Sequence, residues 1–129
     1  MPLAATDPFR LDGQRVLITG AGGGIGTALV ERFTAAGAEV TGADRDMAAM
    51  THLNLSGRLC FDLSDLAATE RASRDYIAAS GAPDIVVSNA GFTRAELFEQ
   101  LDLKSWESEF AINLSGAYAL LDPIVTAME

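Results

Sequence analysis

The sequence predicts an α/β fold, a doubly wound parallel β-sheet with helices on both faces. Short apolar runs alternate with helical patterns along the chain, and a glycine-rich turn joins the first run to the first helix. The first run covers residues 16–18, and continuous apolar runs are typical of strands buried on both faces of a parallel sheet. Four such strands are predicted, at residues 15–19, 39–43, 58–61 and 84–88.

The connections between these strands set the expected order of elements. Residues 1–129 are predicted to form a single domain that is incomplete at its C-terminal end, with residues 1–13 as a loose lead-in. Only about 14 residues link the second and third strands, so the helix between them must be short. The next helix is predicted over residues 65–80, with Ser64 as its N-cap residue, and Gly81 and Pro83 end it. The expected strand order is 3-2-1-4.

The last helix is predicted to begin near Leu103 with Asp102 as its cap. Pro123 cannot donate a hydrogen bond to Ala119 and is expected to kink this helix. Trp106 is interpreted as a packing anchor. An apolar stripe recurs at steps of three or four residues and comprises Phe110, Leu114, Ala117, Leu121, Ile124 and Met128.

The glycine turn and the end of the second strand predict a dinucleotide site. A glycine turn before a helix presents free backbone N–H groups and the positive end of that helix, where a pyrophosphate binds. Asp44 ends the second strand 20 residues after Gly24, where a carboxylate accepts hydrogen bonds from both hydroxyls of an adenosine ribose. The same carboxylate repels a 2′-phosphate, so NAD is expected as the cofactor, with NADP less favoured. Arg45 leaves some tolerance of NADP open.

Four motifs in order resemble those of the short-chain dehydrogenases/reductases. They are T-G-x-x-x-G-I-G at residues 19–26, D-L-S-D at 62–65, S-N-A-G at 88–91, and Trp106 with N-L-S-G at 113–116. The glycine spacing is G-x-x-x-G-x-G, and the sequence has no literal match to G-x-G-x-x-G. The resemblance implies a Rossmann-like fold and hydride transfer between a nicotinamide cofactor and a small carbonyl or alcohol substrate.

The resemblance also assigns roles to individual residues. Asp62 would contact the adenine amino group, Asn89 would brace neighbouring strands while bordering the cofactor, and Asn113 would be the catalytic asparagine. A basic residue in place of Gly23 often accompanies NADP use, and this chain has none there. The expected cofactor-binding residues are Gly20, Gly22, Gly23, Gly24, Ile25, Gly26, Asp44, Arg45, Asp62, Leu63, Asn89, Ala90 and Gly91.

Other residues that the family's chemistry needs are absent. A catalytic serine and a Y-x-x-x-K pair would lie beyond Asn113, whereas Tyr76 and Tyr118 are followed four residues later by Ser80 and Asp122. The chain therefore looks like the cofactor-binding half of a dehydrogenase, cut before the fifth strand, and is expected to be inactive alone. The helix over residues 103–128 is expected to mediate homo-oligomer formation.

Composition narrows the partners and the compartment. The 129 residues carry a net charge of −9, which argues against nucleic acid or an anionic membrane as the main partner. Cys60 is the only cysteine and His52 the only histidine, so neither a disulfide nor a metal site is expected. The first twelve residues hold no apolar run long enough for a signal peptide, and a cytoplasmic protein is expected.

Two other functions remain open from the sequence. A dinucleotide-binding module without catalysis would carry the same glycine turn and carboxylate. A methyltransferase that uses S-adenosylmethionine also joins a glycine turn to an acidic residue after the second strand, but it has no need of the S-N-A-G motif or of Asn113.

Overall fold

The computed structural model describes residues 3–129, which contain a four-stranded parallel sheet of order β3-β2-β1-β4. The strands are β1 (Arg15–Thr19), β2 (Glu39–Asp44), β3 (Gly57–Cys60) and β4 (Ile85–Val87). In the middle of the sheet, Leu17 of β1 lies between Thr41 of β2 and Val86 of β4. The predicted fold class and strand order are confirmed.

Helices connect the strands and continue beyond the last one. They are α1 (Gly24–Ala35), α2 (Leu66–Ser80), α3 (Leu103–Phe110) and α4 (Gly116–Met128), with 3₁₀ helices at Met47–Met50 and Phe98–Gln100. The first 3₁₀ helix is the whole helical content between β2 and β3, as short as the linker length predicts. A π-helical turn, Ala111–Ser115, joins α3 to α4 and was not predicted.

The core has one apolar cluster on each face of the sheet. The three central residues of β1 are fully buried, as a strand covered on both faces requires. One cluster lies under α1 and the first 3₁₀ helix and contains Val16, Ile18, Ala21, Val30, Ala38, Val40, Met50 and Leu53. The other lies under α2 and α4 and contains Leu17, Ala43, Leu63, Tyr76, Leu120 and Ile124.

The N-cap of α2 differs from the prediction. Helix α2 begins at Leu66, and Asp65 caps it because its Oδ1 accepts the N–H of Ala68 at 3.0 Å. The hydroxyl of Ser64 instead donates to Asp62 Oδ1 at 2.8 Å. Ser64 was therefore the wrong residue for the cap: an adjacent aspartate is at least as good a cap, and the serine is engaged elsewhere.

The long C-terminal helix starts at the predicted position but faces the core differently. Asp102 caps α3 by accepting the N–H of Ser105 at 2.7 Å. In α4, Ile124 of the predicted stripe is fully buried, but so is Leu120, which is outside the stripe, whereas Phe110 and Leu114 of the stripe are 46% and 61% exposed. A π turn accommodates one extra residue, which shifts the inward-facing positions relative to a regular helix.

Much of this helix is apolar and open to solvent. Residues Leu103–Met128 have the length and hydropathy of a membrane span, a property also found in core helices, and only 22% of the apolar window is buried. Trp106, interpreted from the sequence as a packing anchor, is half exposed, and its ring lies against that of Phe110, with centroids 4.9 Å apart and the planes tilted by 38°. The helix thus presents an apolar surface that residues 3–129 leave uncovered.

The described part of the lead-in contacts the end of α1. The first two residues of the predicted segment 1–13 lie outside the described residues. Leu3 N–H donates to Ala35 O at 3.2 Å, and Leu11 N–H donates to Ala36 O at 2.8 Å. These bonds fix where the chain enters β1.

Candidate functional site

A cleft of about 500 Å³ opens at the carboxyl ends of the strands. It lies between the ends of β1 and β4, the neighbouring strands at which the strand order reverses direction. Open α/β sheets bind their ligands at this position. The lining residues are Thr19, Gly20, Gly23, Gly24, Ile25, Gly26, Ala43, Asp44, Arg45, Phe61, Asp62, Leu63, Asn89, Ala90, Gly91, Phe92 and Ile112.

The turn between β1 and α1 forms the floor of the cleft. Gly20 has a φ of 65°, in the left-handed region, and a Cβ there would lie 2.9 Å from the Cα of Ala90. Gly23 is the N-cap residue of α1 and has no side chain to cap the helix. The first N–H groups of α1 are therefore available to an acceptor in the cleft.

The other glycines of the turn have different surroundings. Nothing lies within 4 Å of a Cβ placed on Gly24, which faces open space. Gly26 packs on the backbone of the turn that follows β1, where a Cβ would collide with the carbonyl oxygen of Gly20. Gly22 lies behind the turn, where a Cβ would come within 2.5 Å of Ala49 Cβ, and it does not line the cleft.

Asp44 is held in place by backbone donors. Its Oδ2 accepts the N–H of Gly22 and its Oδ1 accepts the N–H of Asp46, each at 3.0 Å. A carboxylate oxygen has two lone pairs, so each oxygen can accept one further hydrogen bond from a ligand. The exposed Arg45 follows on the rim of the cleft.

Asp62 forms the next acceptor along the same edge. It accepts the N–H of Ser64 at 2.9 Å and the hydroxyl of Ser64 at 2.8 Å. These hydrogen bonds, aided by the charge of Arg45, hold the pKa of Asp62 below its ordinary value, so the carboxylate is ionised at neutral pH. The neighbouring Leu63 is buried and contributes its backbone and part of the cleft wall.

Asn89 fastens the ends of β1 and β4 together. Its Nδ2 donates to Thr19 O at 3.0 Å and to Gly20 O at 3.4 Å, and Ala90 N–H donates to Thr19 Oγ1 at 3.0 Å. The predicted bracing contact is present. It fixes the opposite wall of the cleft, which Ala90 and Gly91 continue.

Asn113 lies in the π turn and outside the cleft lining. Its Oδ1 accepts the N–H of Phe92 at 2.8 Å, and its Nδ2 donates to Phe92 O at 2.6 Å. The side chain is therefore bound to the backbone of the segment that follows the S-N-A-G motif. No three His, Cys, Asp or Glu side chains within residues 3–129 are grouped so that they could hold a metal ion.

Five lining residues are not among the cofactor-binding residues predicted from the sequence: Thr19, Ala43, Phe61, Phe92 and Ile112. Ala43 and Phe61 immediately precede Asp44 and Asp62, so their position at strand ends was a usable signal. Ile112 lines the cleft from within the π turn, and no local sequence pattern predicts that turn.

Known proteins share both this sequence pattern and this fold. The short chain dehydrogenase family model matches residues 14–129. D-threitol dehydrogenase of Mycolicibacterium smegmatis is 34% identical over an alignment of 125 residues that covers 90% of this chain and 48% of that protein. The 3-oxoacyl-acyl-carrier-protein reductase of Escherichia coli is 33% identical over 125 residues, covering 93% of this chain and 51% of that protein.

A solved structure agrees with these relatives. Gluconate 5-dehydrogenase from Burkholderia cenocepacia, in complex with NADP and tartrate, superimposes with a TM-score of 0.81 at 31% identity, covering 93% of this chain and 50% of that one. The chain spans about half the length of the curated relatives it matches. The family match over nearly all of the residues, together with the shared fold, shows that this chain belongs to the short-chain dehydrogenase family.

Proposed function

We propose that the cleft binds a nicotinamide dinucleotide, NAD in preference to NADP, and that the chain is the cofactor-binding part of an oxidoreductase acting on a small carbonyl or alcohol. The observation that carries this proposal is the meeting of three features in one cleft. Free N–H groups at the start of α1, the carboxylate of Asp44 and the wall formed by Asn89 all line the same 500 Å³ space. When bound, the nicotinamide would supply the hydride acceptor or donor.

The start of α1 suits a pyrophosphate. The open space around Gly24 lets an anion approach the backbone, and the helix N-terminus favours negative charge. The glycines within residues 20–26 thus suit a pyrophosphate because they leave open space as well as free N–H donors. We assign Gly20, Gly23, Gly24, Ile25 and Gly26 to this contact, with Gly22 supporting Asp44 from behind.

Asp44 suits the adenosine ribose and sets the preference for NAD. Its carboxylate is already oriented by Gly22 and Asp46, so little ordering is needed when two hydroxyls bind. A 2′-phosphate would place a second negative charge beside it. Arg45 is free to moderate that repulsion, and the related gluconate 5-dehydrogenase is solved with NADP.

The two ends of the cleft are assigned by their chemistry. Asp62 and Leu63 lie beyond Asp44 and would contact the adenine, while Asn89, Ala90 and Gly91 would border the nicotinamide half. Asn113 is the family's catalytic asparagine by position. Beyond Asn113 the sequence contains no Y-x-x-x-K pair, and its one serine, Ser115, belongs to the N-L-S-G motif itself, so we propose that the chain does not catalyse the reaction by itself.

The exposed face of the long helix suits a second copy of the chain, in a cytoplasmic homo-oligomer. Its large exposed residues share one stripe: Leu103, Trp106, Phe110, Leu114, Tyr118, Val125 and Met128. An apolar patch of this length is a common feature of subunit interfaces. Membrane insertion is the alternative, since the helix is also long enough to span a bilayer.

Isothermal titration calorimetry tests the cofactor proposal. NADH is expected to bind more tightly than NADPH by about 1 to 3 kcal/mol, and Asp44→Ala is expected to narrow that gap because it removes the repelling charge. Equal or tighter NADPH binding would contradict the preference. Tighter binding of S-adenosylmethionine than of NADH would replace the dehydrogenase proposal with a methyltransferase.

A further inference from the structure

Three polar side chains on the long helix face the loop that follows the cleft wall. Ser105, Glu109 and Asn113 recur at steps of four residues, which places them on one side of a helix. Each contacts the segment Phe92–Arg94: Asn113 binds the backbone of Phe92, Glu109 binds the next two residues, and Ser105 Oγ accepts from Arg94 NH1 at 3.2 Å. The loop therefore runs along this row in the opposite direction to the helix.

Glu109 makes the central contact of the row. Its Oε1 accepts the backbone N–H of Arg94 at 2.8 Å, and its Oε2 lies 3.4 Å from the Thr93 hydroxyl that donates to it. A bond from a backbone N–H to a carboxylate is charge-assisted and stronger than one between neutral groups. The carboxylate thus fixes a main-chain position, which a pairing between two mobile side chains would not do.

The fixed segment borders the cleft. Phe92 lines the cleft directly after Gly91, and the guanidinium of Arg94 lies over the Phe92 ring, 5.6 Å from its centre. Asn113 holds the Phe92 backbone, and Ser105 binds only the side chain of Arg94, so neither of them fixes the backbone of Thr93 and Arg94. Glu109 extends the attachment to three consecutive residues, so the ring and its cationic cover keep one position.

We propose that Glu109 is a positioning residue, which holds the Phe92–Arg94 segment so that the nicotinamide half of the cleft is formed before the cofactor binds. This proposal rests on the proposed function. A carboxylate at position 109 acts through the loop backbone and does not touch the cofactor. Its loss is expected to weaken binding of the part of the dinucleotide that reaches Phe92 and to spare the adenosine part, which Asp44 and Asp62 hold.

Matched variants of the 129-residue chain test this role. Glu109→Ala removes the acceptor, and Glu109→Gln keeps an oxygen for the Arg94 N–H. Glu107→Ala makes the same charge change on α3 at an exposed side chain that forms no hydrogen bond within the described residues. Circular dichroism confirms that each variant is folded. Hydrogen exchange at the Arg94 amide and calorimetry with NADH and ADP-ribose are then measured.

The expected pattern is selective. Glu109→Ala speeds exchange at the Arg94 amide by about tenfold, the equivalent of one lost hydrogen bond, and leaves the Phe92 amide protected by Asn113. The same variant lowers the affinity for NADH by about three- to tenfold, because the loop must then be ordered on binding, and leaves the affinity for ADP-ribose unchanged. Glu109→Gln restores part of both values, because it keeps an oxygen acceptor without the charge, and Glu107→Ala changes neither.

Other outcomes overturn the proposal in distinguishable ways. Unchanged exchange at Arg94 in Glu109→Ala shows that the carboxylate does not hold the loop. Faster exchange with an unchanged ratio of NADH to ADP-ribose affinity shows that the loop does not shape the cleft. A wild-type chain that binds neither NADH nor ADP-ribose refutes the proposed function itself, whatever the exchange data show.

Discussion

Gly24 and Gly26 stand two residues apart in the same turn, and the structure predicts opposite consequences for replacing them. A methyl group on Gly26 would collide with the Gly20 carbonyl oxygen and lie 2.7 Å from the Gly20 carbon and 2.9 Å from Ala21 Cα. All three are backbone atoms, so no side chain can rotate away. Because carbon atoms in contact lie about 3.5 to 4.0 Å apart, α1 must move from β1 by about 1 Å.

That displacement sets the size of the effect. Helix α1 covers one core cluster through Val30, which is 1% exposed, and moving it loosens the contact with Val16 and Ile18. Overpacking of this kind costs about 1 to 3 kcal/mol and sometimes more, while alanine gains about 1 kcal/mol over glycine in a helix. With a rigid backbone as the obstacle, we expect Gly26→Ala to lower the free energy of unfolding by about 2 kcal/mol.

Gly24→Val is the comparison for Gly26→Ala, since nothing lies within 4 Å of a Cβ placed on Gly24. Its free energy of unfolding is expected to stay within about 0.5 kcal/mol of wild type, while its side chain fills the space that a pyrophosphate needs and abolishes NADH binding. Urea denaturation and calorimetry measure the two effects separately. A Gly26→Ala chain as stable as wild type, or a Gly24→Val chain equally destabilised, would refute this account of the turn.

Three further predictions follow from the site and the long helix. The purified chain is expected to show no change in NADH absorbance with any carbonyl or alcohol, because loss of the general acid/base alone costs about 10² to 10⁴ in rate; a turnover that Gly24→Val abolishes would contradict this. Light scattering at micromolar concentration is expected to show dimers or larger assemblies through the stripe on Leu103–Met128, and a monodisperse monomer would exclude them. The Ser64 bonds hold the folded-state pKa of Asp62 below 3.8, so the stability that the ionised carboxylate contributes is complete above pH 3.8 and is lost as the pH falls through the lower folded-state pKa. Asp62→Asn is therefore expected to reduce the loss of unfolding free energy at acid pH. An unchanged loss would count against the Ser64 bonds.

The features that were predictable from the sequence depend on residues close together in the chain. The fully buried strand β1 is visible in the sequence as an apolar run, and the left-handed turn residue after it is visible as the glycine Gly20. Asp44 and Asp62 could be placed at strand ends because Asp44 is the last residue of β2 and Asp62 lies two residues after β3. Position along a parallel sheet then brings their side chains to one edge, so the cleft followed from the order of elements alone.

The features that were missed have two different causes. The π turn depends on a distant contact, because Gly116 within the long helix lies against the backbone carbonyl of Leu63, which no pattern within residues 103–128 specifies. The choice between Ser64 and Asp65 as the cap depended on a local competition, because Asp62 accepts the hydroxyl of Ser64 and leaves Asp65 to cap α2. Residue preferences rank serine and aspartate about equally as caps, so they could not decide this competition.

The two sides of the cleft depend on different elements of the fold, and this bears on how the chain works. Asp44 is oriented by Gly22 and Asp46, and Asp62 is oriented by Ser64. These bonds lie within the turns that follow β1, β2 and β3. On the opposite side, the Phe92 backbone is held by Asn113, and this pairing requires the long helix to be seated on the sheet. A partner that covers the exposed face of that helix would therefore act first on the side of the cleft that Phe92 borders.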